Sequence, residues 1–450
     1  MEGAKTIPLL YGQTGCTVRV PASADVLEGK AVPAMADPAA AVKAALAQPI
    51  GCPPLAQLLA AKRPATVAIT ISDITRPVPN KAFLPPLLET LNACGIADSR
   101  IVIIIGTGMH RPSTPAEREI LIGRQIAGRV EVIDHTADRR ETLVRVADGG
   151  VATGGAAGSP PVSVHRRFVE ADFRIVTGYI EPHFMAGFSG GRKGVCPALV
   201  DLATIQRFHG YRTLSDPRAE NGVLDGNPCH AESLRVARAV GVDFLLNVAI
   251  TRDRRVAAVF AGDLEAAHLA GCKQVAEWTS AVVSEPYDMV VTNGGGYPLD
   301  QTFYQTVKGQ VTALPALQSG SVLLQISHCG EQLGSAAYTD LMLRWDNDWR
   351  GFLAHIAASG STELDQWELQ MQARVLERIG IEGLWFVSDG IPADIQEHIA
   401  VTPILGHAPA PQRLQAAIDR YAADHPLARV AVIPDGPYTM LRRVRKRVSP

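Results

Sequence analysis

The feature that most limits how this chain can fold is the alternation of short apolar, β-branched runs with helical patterns. The apolar runs are 67–72, 101–105, 129–133, 173–178, 244–250, 288–292, 321–326, 384–387 and 429–433. The helical patterns between them are 82–93, 114–126, 231–240, 263–281, 300–317, 363–379 and 411–423. Such runs are typical of strands buried on both faces, so the alternation predicts an α/β fold with mostly parallel sheets covered by helices.

The length of the chain favours two domains. Its 450 residues are 47% hydrophobic and 20% charged, a globular composition with enough chain for two α/β cores. A Ser-Glu-Pro break follows the helical pattern at 263–281, and we place the hinge there. We therefore predict an N-terminal domain of residues 1–281 and a C-terminal domain of residues 282–450, whose last residues could pack back on the first. The Gly- and Pro-rich stretch 149–161 is predicted to be a loop of the first domain.

Charge and cysteine content argue against several classes of protein. The net charge of −2 does not suit a nucleic-acid binder, although basic residues crowd the tail at 442–447. The seven cysteines form no CxxC pair, so neither a disulfide framework nor a common zinc spacing is indicated. No apolar window approaches the roughly 18 residues of a membrane span, and the N-terminus lacks a signal sequence. We expect a cytoplasmic protein that binds neither nucleic acid nor membranes.

A polar segment follows the apolar run at 67–72. It contains Asp73, Thr75 and Arg76, and two prolines then restrict the loop. Asp73 and Arg76 could form a structural salt bridge. Alternatively, an arginine on a rigid loop could present its two-pronged donor to a carboxylate or a phosphate.

The run at 101–105 ends in a glycine turn that carries His110. Thr114 and Glu117 have the spacing of a capping box, so a helix is predicted to begin directly after this turn. His110 is therefore either a histidine satisfied by its neighbours or a candidate acid or base at the end of a strand.

The densest group of polar residues follows the run at 173–178. It contains His183 and the segment GFSGGRKG at 187–194, which lacks the GxxxxGK[ST] order of a phosphate loop. Lys193 in this segment could be a nucleophile, a Schiff-base lysine, a covalent tether or a surface lysine. His209 stands sixteen residues later and by itself indicates only a histidine at the end of a helix.

The C-terminal half carries two further polar groups. Glycines at 294–296 could present backbone amides as an anion nest, and Tyr304, Gln305 and Lys308 then share one helix face. That face could equally be a solvated polar stripe. Trp367 begins a later helical pattern and could line a core or a pocket. Because ligands of α/β sheets bind beyond the carboxyl ends of strands and often between domains, we predict an active site in an interdomain cleft.

Taken together and in order, these segments resemble the lactate racemase family. The resemblance is carried by SDITRPVP, GTGMHRP, EPHFMAGFSGGRKG, the histidine sixteen residues after the lysine, and GGYPLDQTFYQTVKG. It extends to DQW at 365–367. Five motifs in the same order are far more specific than any one of them. The family uses a nickel pincer nucleotide, a pyridinium mononucleotide with two thiocarbonyl groups.

The resemblance implies a cofactor site. It identifies Lys193 as the lysine that carries the cofactor as a thioamide and His209 as the protein ligand of nickel, whose other ligands are two sulfurs and a ring carbon. Imidazole and soft sulfur donors suit nickel(II). Asp73, Ile74, Thr75 and Arg76 match the stretch that contacts the nucleotide.

The resemblance also implies catalytic and substrate groups. His110 and His183 match the two catalytic bases. Substrate-positioning groups are implied at Arg76, Tyr304, Gln305 and Lys308. Met185 and Trp367 lie where the family varies its pocket, so the identity of the substrate is less well defined than the chemistry.

The implied reaction is the racemisation or epimerisation of a 2-hydroxy acid such as lactate. One histidine would take the hydroxyl proton while the C2 hydrogen leaves as hydride to the cofactor ring, which gives a 2-keto acid. Return of hydride to the other face, with the second histidine as acid, would invert the centre. The implied partners are the small acid and the enzymes that synthesise the cofactor.

Three alternatives remain open from the sequence. The same chemistry could act on a larger hydroxy acid or a sugar acid. A nicotinamide dehydrogenase would share the hydride transfer, but no GxGxxG follows a strand with an acidic residue about 20 positions later. A two-lobed binding protein without activity would explain a cleft but not two histidines and a glycine-flanked lysine.

Overall fold

The computed structural model describes residues 4–146 and 161–444, which form two compact units. The N-terminal unit consists of Ala31–His209 and Arg218–Trp278. The C-terminal unit consists of the described parts of Met1–Lys30, Gly210–Pro217 and Thr279–Pro450. The predicted loop at 149–161 lies outside the described residues except for its last residue, and so does most of the basic tail.

The bounds of the strands follow the chain from β1 to β20. They are β1 Lys5–Leu9, β2 Cys16–Val20, β3 Asp25–Val26, β4 Val67–Ser72, β5 Ile101–Gly106, β6 Glu131–Asp134, β7 Leu143–Val146, β8 Val162–His165, β9 Phe173–Tyr179, β10 Pro182–His183, β11 Gly187–Phe188, β12 Phe244–Ile250, β13 Val256–Gly262, β14 Ser280–Val283, β15 Met289–Asn293, β16 Val322–Ile326, β17 Leu384–Val387, β18 Thr402–Pro403, β19 Val430–Val432 and β20 Met440–Arg443.

The helices are numbered in the same way. They are α1 Pro38–Ala47, α2 Leu55–Lys62, α3 Asn80–Ala93, α4 Pro115–Ile122, α5 Arg124–Ala127, α6 Arg166–Val169, α7 Leu202–Phe208, α8 Tyr211–Leu214, α9 Pro228–Val240, α10 Ala266–Thr279, α11 Phe303–Thr312, α12 Ala336–Trp345, α13 Trp349–Ala358, α14 Gln366–Ile379, α15 Ala393–Gln396 and α16 Ala410–Asp424. Across the part of the chain that the structure describes, none of them is long and apolar enough to cross a membrane.

The N-terminal unit is built on a six-stranded sheet of order β13-β12-β9-β4-β5-β6. All neighbours are parallel except β13, which runs antiparallel to β12. The central strands β4 and β5 are buried up to their last residue, because their β-branched side chains pack on both faces of the sheet. The carboxyl ends of β9, β4 and β5 consequently lie side by side at one edge.

The C-terminal unit contains a second six-stranded sheet, of order β18-β17-β16-β15-β19-β3, in which every pair is parallel. The helix α16 packs on this sheet and contributes Leu414 and Ile418 to its core. The edge strand β3 comes from the start of the chain. The prediction of mostly parallel sheets in an α/β fold is therefore confirmed.

Each of the nine apolar runs contains a strand, but three helical predictions need correction. The pattern 114–126 is two helices, α4 and α5, because Gly123 between them has a φ of 79°. The pattern 263–281 ends at Thr279, and the next residues form β14, which pairs in parallel with β20. The pattern 300–317 is helical only in α11, with short 3-10 turns at Leu299–Gln301 and Leu314–Ala316.

Candidate active site

Three loops carry the predicted polar residues of the N-terminal unit. They follow β4, β5 and β9, which are neighbours in the sheet. Since parallel strands end at the same edge, the loops that begin at Asp73, Thr107 and Ile180 begin next to one another. The sequence predicts that each of these polar groups follows a strand. The order of the strands in the sheet then makes the three groups neighbours.

Asp73 and His110 form the most clearly defined pair at this edge. The Nδ1 atom of His110 lies 2.6 Å from Oδ2 of Asp73, and the hydroxyl of Thr75 donates to Oδ1 over 2.7 Å. Burial acts to raise the pKa of Asp73, but the His110 ring, the Thr75 hydroxyl and the charge of Arg76 together lower it. The ionised carboxylate therefore accepts a hydrogen bond from the Nδ1–H group of His110, so Nε2 is the ring atom that can exchange protons.

This pair changes the interpretation of the Asp73 motif. The sequence suggested a possible salt bridge between Asp73 and Arg76, whereas the carboxylate hydrogen-bonds to His110 and Thr75, and Arg76 acts on it through its charge. Ile74 packs against the apolar core of the unit. The predicted capping box is confirmed, because the Thr114 side chain accepts from the amide of Glu117 and the Glu117 carboxylate accepts from that of Thr114.

His183 is held in a different way. It lies in β10, which forms a short hairpin with β11, and its side chain is buried. Its Nδ1 atom accepts hydrogen bonds from the backbone N–H groups of Met185 over 3.4 Å and Ala186 over 3.2 Å. An Nδ1 atom that accepts hydrogen bonds carries no proton, so the proton of the neutral ring is on Nε2.

Lys193 lies in a 3-10 turn, Gly191–Gly194, that rests directly on the sheet. A Cβ atom on Gly194 would lie 2.5 Å from Val176 of β9, and one on Gly190 would lie 2.7 Å from the Oδ1 atom of Asn247. Only glycine permits this close approach. The lysine is thus half-buried on a backbone fixed against β9 and β12.

His209 follows α7 and is also fixed through its Nδ1 atom. The Nδ1–H group donates to the carbonyl of Ile205 over 2.9 Å, which places the lone pair of the neutral ring on Nε2. Burial above all, together with the positive charges of Lys193 and His110, lowers the pKa of His209 to about 3, while the hydrogen bond to Ile205 opposes this shift. The charges of both residues thus act on the His209 ring.

In the C-terminal unit, α11 presents the three predicted side chains. The Lys308 ammonium donates to the Gln305 side-chain oxygen, and Lys308 is almost completely buried. The Tyr304 oxygen accepts from the indole N–H of Trp367 over 2.6 Å. Burial, and then the nearby Glu368 carboxylate, raise the pKa of Tyr304 well above its usual value, so it remains a neutral phenol with a proton to donate.

The expectation of an anion nest at 294–296 is wrong for Gly294 and Gly295, whose amides already donate within the protein. The amide of Gly294 donates to Ile326 and that of Gly295 to the Asn293 side chain. The amide of Tyr297 donates to the Gly12 carbonyl over 2.9 Å. These glycines serve close packing instead, since a Cβ atom on Gly294 would lie 2.4 Å from the hydroxyl of Ser327.

Three buried polar residues were missed by the sequence analysis. Arg192 donates to backbone carbonyls of the glycine loop, Asn247 accepts from the amide of Gly191 over 2.7 Å, and His268 contacts Arg192. Asn247 interrupts an apolar strand, and such a residue must find hydrogen bonds inside the protein. The polar residue within the apolar run 244–250 could therefore have been identified from the sequence. Arg192 was not considered as a candidate separately from the neighbouring Lys193.

Metal-binding capacity is limited in the protein alone. Within residues 4–146 and 161–444, no group of three or more histidine, cysteine, aspartate or glutamate side chains is arranged to hold a metal ion. The expected interdomain cleft stays a prediction.

Comparison with family models matches most of the chain. Residues 11–222 match the lactate racemase N-terminal domain, and residues 282–440 match the lactate racemase C-terminal domain. The first match contains all the motifs of the N-terminal unit described above, and the second contains α11 and Trp367.

Comparison with individual proteins agrees. The lactate racemase of Lactiplantibacillus plantarum is 33% identical over 398 residues, which are 88% of this chain and 89% of that protein. The lactate racemase of Thermoanaerobacterium thermosaccharolyticum is 35% identical over 340 residues, 74% of this chain and 76% of that protein. The structure of its apoprotein has a TM-score of 0.85 at 30% identity and covers 97% of this chain and 100% of that one. A Thermotoga maritima protein with a TM-score of 0.66 at 18% identity, covering 91% of this chain and 99% of that one, shows the fold alone.

Proposed function

Because this chain belongs to the lactate racemase family of isomerases, we propose that it inverts the C2 centre of a short 2-hydroxy acid, such as lactate, with a nickel pincer nucleotide attached to Lys193. The observation that carries the proposal is the set of ring nitrogens around this lysine. His110 is oriented by a carboxylate and His209 by a carbonyl, and the charge of Lys193 acts on His209.

The residues around Lys193 fit such a cofactor. His209 offers the Nε2 lone pair of a neutral imidazole, a donor that suits nickel(II). The buried Thr70 hydroxyl has no hydrogen-bond partner in the described part of the chain, and it would lie 3.2 Å from a Cβ atom on Gly194, next to the lysine. A polar group of a nucleotide could satisfy it. When bound, the cofactor would supply an electron-poor ring that accepts hydride from C2 of the substrate.

The two histidines would move the protons. The carboxylate of Asp73 stabilises a protonated His110 ring, so Nε2 of His110 can accept the hydroxyl proton of the substrate. His183 holds its proton on Nε2 because backbone amides occupy Nδ1. In one direction His110 would take the hydroxyl proton on Nε2 and His183 would give its Nε2 proton to the oxygen of the keto acid, and in the other direction the two protons would return.

The substrate carboxylate needs a cationic partner. We assign this role to Arg76 and Lys308, of which arginine can bind a carboxylate in two-pronged fashion. Tyr304 would donate its remaining O–H to the substrate. Its ring packs edge-on against Tyr338 at 5.1 Å, and Trp367 hydrogen-bonds to its oxygen.

The test uses protein coexpressed with the enzymes that synthesise the cofactor. The purified holoenzyme is incubated with single enantiomers of lactate and other short 2-hydroxy acids, and with sugar acids, and optical rotation is followed. We expect loss of rotation with at least one short acid, and intact mass should show an adduct that maps to Lys193. Fully loaded protein that leaves the rotation of every acid unchanged would contradict the proposal.

A further inference from the structure

Arg192 is the most deeply buried cation of the glycine loop. Its side chain is 1% exposed. Its guanidinium donates through Nη2 to the carbonyl of Ala186 over 2.7 Å, and through Nη1 to those of Phe188 over 2.9 Å and Gly190 over 3.4 Å. The loop between His183 and Lys193 therefore wraps around this one group.

Within the described ranges, 4–146 and 161–444, the polar contacts of Arg192 are backbone carbonyls and one histidine, and no carboxylate pairs with it. Its remaining polar contact is Nε2 of His268 at 3.1 Å, and burial lowers the pKa of Arg192 to about 10. Burying a cation without a counter-ion is costly, and carbonyl dipoles offset only part of that cost. A neutral residue would fill this space at lower cost, so a simple packing role explains the arginine poorly.

The contacts of Arg192 lead to both functional residues of the loop. The Ala186 carbonyl accepts from Arg192, while the Ala186 N–H donates to Nδ1 of His183 over 3.2 Å. Towards the other end, the Gly190 carbonyl accepts from Arg192 and also from the backbone N–H of Lys193 over 3.2 Å. One guanidinium thus orients the backbone that holds the His183 ring and the backbone that carries the lysine.

We propose that Arg192 is a positioning residue for the reaction, which fixes the His183 ring and the Lys193 backbone relative to each other without touching the substrate. This inference rests on the proposed function, because it assigns the reacting groups to His183 and Lys193. A misplacement of about 1 Å at a reacting group can reduce turnover about 100-fold. Loss of the guanidinium should therefore reduce kcat more than it weakens substrate binding.

The kinetic test compares Arg192→Lys and Arg192→Met with Arg413→Lys. Arg413 is the control, because it is also buried and donates to the backbone carbonyls of Ile404, Ser388 and Ala408 in the other unit, although it also pairs with the Asp389 carboxylate. With equal cofactor loading, we expect kcat to fall about 10-fold in Arg192→Lys and about 100-fold in Arg192→Met, with KM changed less than about threefold. Arg413→Lys should lower the Tm without changing kcat.

A second readout does not depend on activity. In the apoprotein, diethyl pyrocarbonate should modify His183 several times faster in Arg192→Lys than in the parent, as mapped by peptide mass spectrometry, whereas Arg413→Lys leaves this rate unchanged. If the parent holoenzyme racemises no acid, the proposed function fails while this labelling still tests the positioning of His183.

Two results would overturn the inference. The first is an Arg192→Lys protein with a lower Tm but with parental kcat and parental labelling of His183, since Arg192 would then be structural only. The second concerns His268→Gln, the variant to use if the Arg192 variants do not fold. It removes the Nη1 contact and also the hydrogen bond from the His268 ring to the Ser189 carbonyl of the same loop, and it leaves the three carbonyl contacts of Arg192 in place. It should give the same changes at smaller size, so parental behaviour here would also count against the proposal.

Discussion

At the scale of single residues, the hydrogen-bond partners of Nδ1 give each of three histidines a different property. A carboxylate accepts from His110, a carbonyl accepts from His209, and backbone amides donate to His183. The first partner stabilises a positive ring, the second prepares a neutral ligand, and the third keeps the proton on Nε2. The sequence identifies the three histidines as candidates, but the partners come from elsewhere in the chain and from the backbone, so it does not predict these differences.

The ligand role of His209 leads to a prediction about metal content. His209→Ala should retain at least about 10-fold less nickel than the parent, because loss of a direct ligand weakens a metal site more than the 10- to 100-fold typical of outer-shell changes. Metal analysis of purified holoenzyme measures the effect. His230→Ala serves as the matched histidine control. Unchanged nickel in His209→Ala, or equal loss in both variants, would place the ligand elsewhere.

The acid and base roles lead to a second prediction. His110→Ala and His183→Ala should each lower kcat about 100- to 10,000-fold in both directions, because each direction uses one ring as base and the other as acid. Adduct mass at Lys193 and the Tm are measured in parallel. A variant of either residue that retains near-parental rates would remove that histidine from the mechanism.

The carboxylate behind His110 leads to a third prediction. Asp73→Asn keeps the shape of the side chain but removes the charge that stabilises a protonated His110. We expect kcat at neutral pH to fall about 100-fold, within the range typical of general acid–base groups, while nickel content and adduct mass stay unchanged. Thr75→Val is the control, since it removes one hydrogen bond to Asp73 and leaves its charge. Equal kcat in Asp73→Asn and the parent would show that His110 works without its carboxylate.

At the scale of elements, the sequence predicts where strands end but not which strands lie next to each other in a sheet. A buried run such as Val67–Ser72 is apolar on both faces, and the change to polar residues marks its end. The order of β9, β4 and β5 depends on contacts between distant parts of the chain, as does the pairing of β14 with β20. The prediction of helix ends was wrong where one glycine, Gly123, adopts a positive φ inside a continuous helical pattern.

The packing of the glycine loop leads to a fourth prediction. A Cβ atom on Gly191 would lie 2.5 Å from the His268 ring, so Gly191→Ala should displace the loop and reduce the fraction of protein with an adduct at Lys193. Gly95→Ala is the control, because Gly95 also has a positive φ but no atom within 4 Å of that position. It should cost about 1 kcal/mol of stability and leave the adduct fraction unchanged. Equal adduct fractions in the two variants would refute the packing argument.

At the scale of the whole molecule, the first residues of the chain belong to the C-terminal unit. The strand β3 has only two residues and pairs with β19, about 400 positions away in sequence. Such a short strand has no periodicity to read, so a linear division of the chain near residue 281 does not assign it. The resemblance of the motifs predicted the family, but the grouping of Met1–Lys30 with the C-terminal sheet is a property of the fold.

The buried histidines of the N-terminal unit should control how the whole protein responds to acid. His135 and His165 are buried with their rings 5.7 Å apart, and His135 donates from Nε2 to the Val200 carbonyl over 3.0 Å. Burial is the main reason that the pKa of each is lowered to about 4, and for His135 the charge of His165 contributes to this shift. In the unfolded chain both would titrate near 6.5. Between these values only the unfolded state binds the protons, so stability is lost as pH falls from about 6.5 to about 4.

The expected slope is up to about 1.4 kcal/mol per pH unit for each histidine, and carboxylates with a lowered pKa, such as Glu117, add their loss only below this window. Thermal unfolding of the apoprotein between about pH 7.5 and about pH 4.5 measures it. His135→Gln can still donate to the Val200 carbonyl but takes up no proton. Its Tm should therefore fall less steeply with decreasing pH than that of the parent, while the exposed-site variant His407→Gln follows the parent. Parallel curves for all three proteins would mean that these rings are protonated as readily in the folded protein as in the unfolded chain.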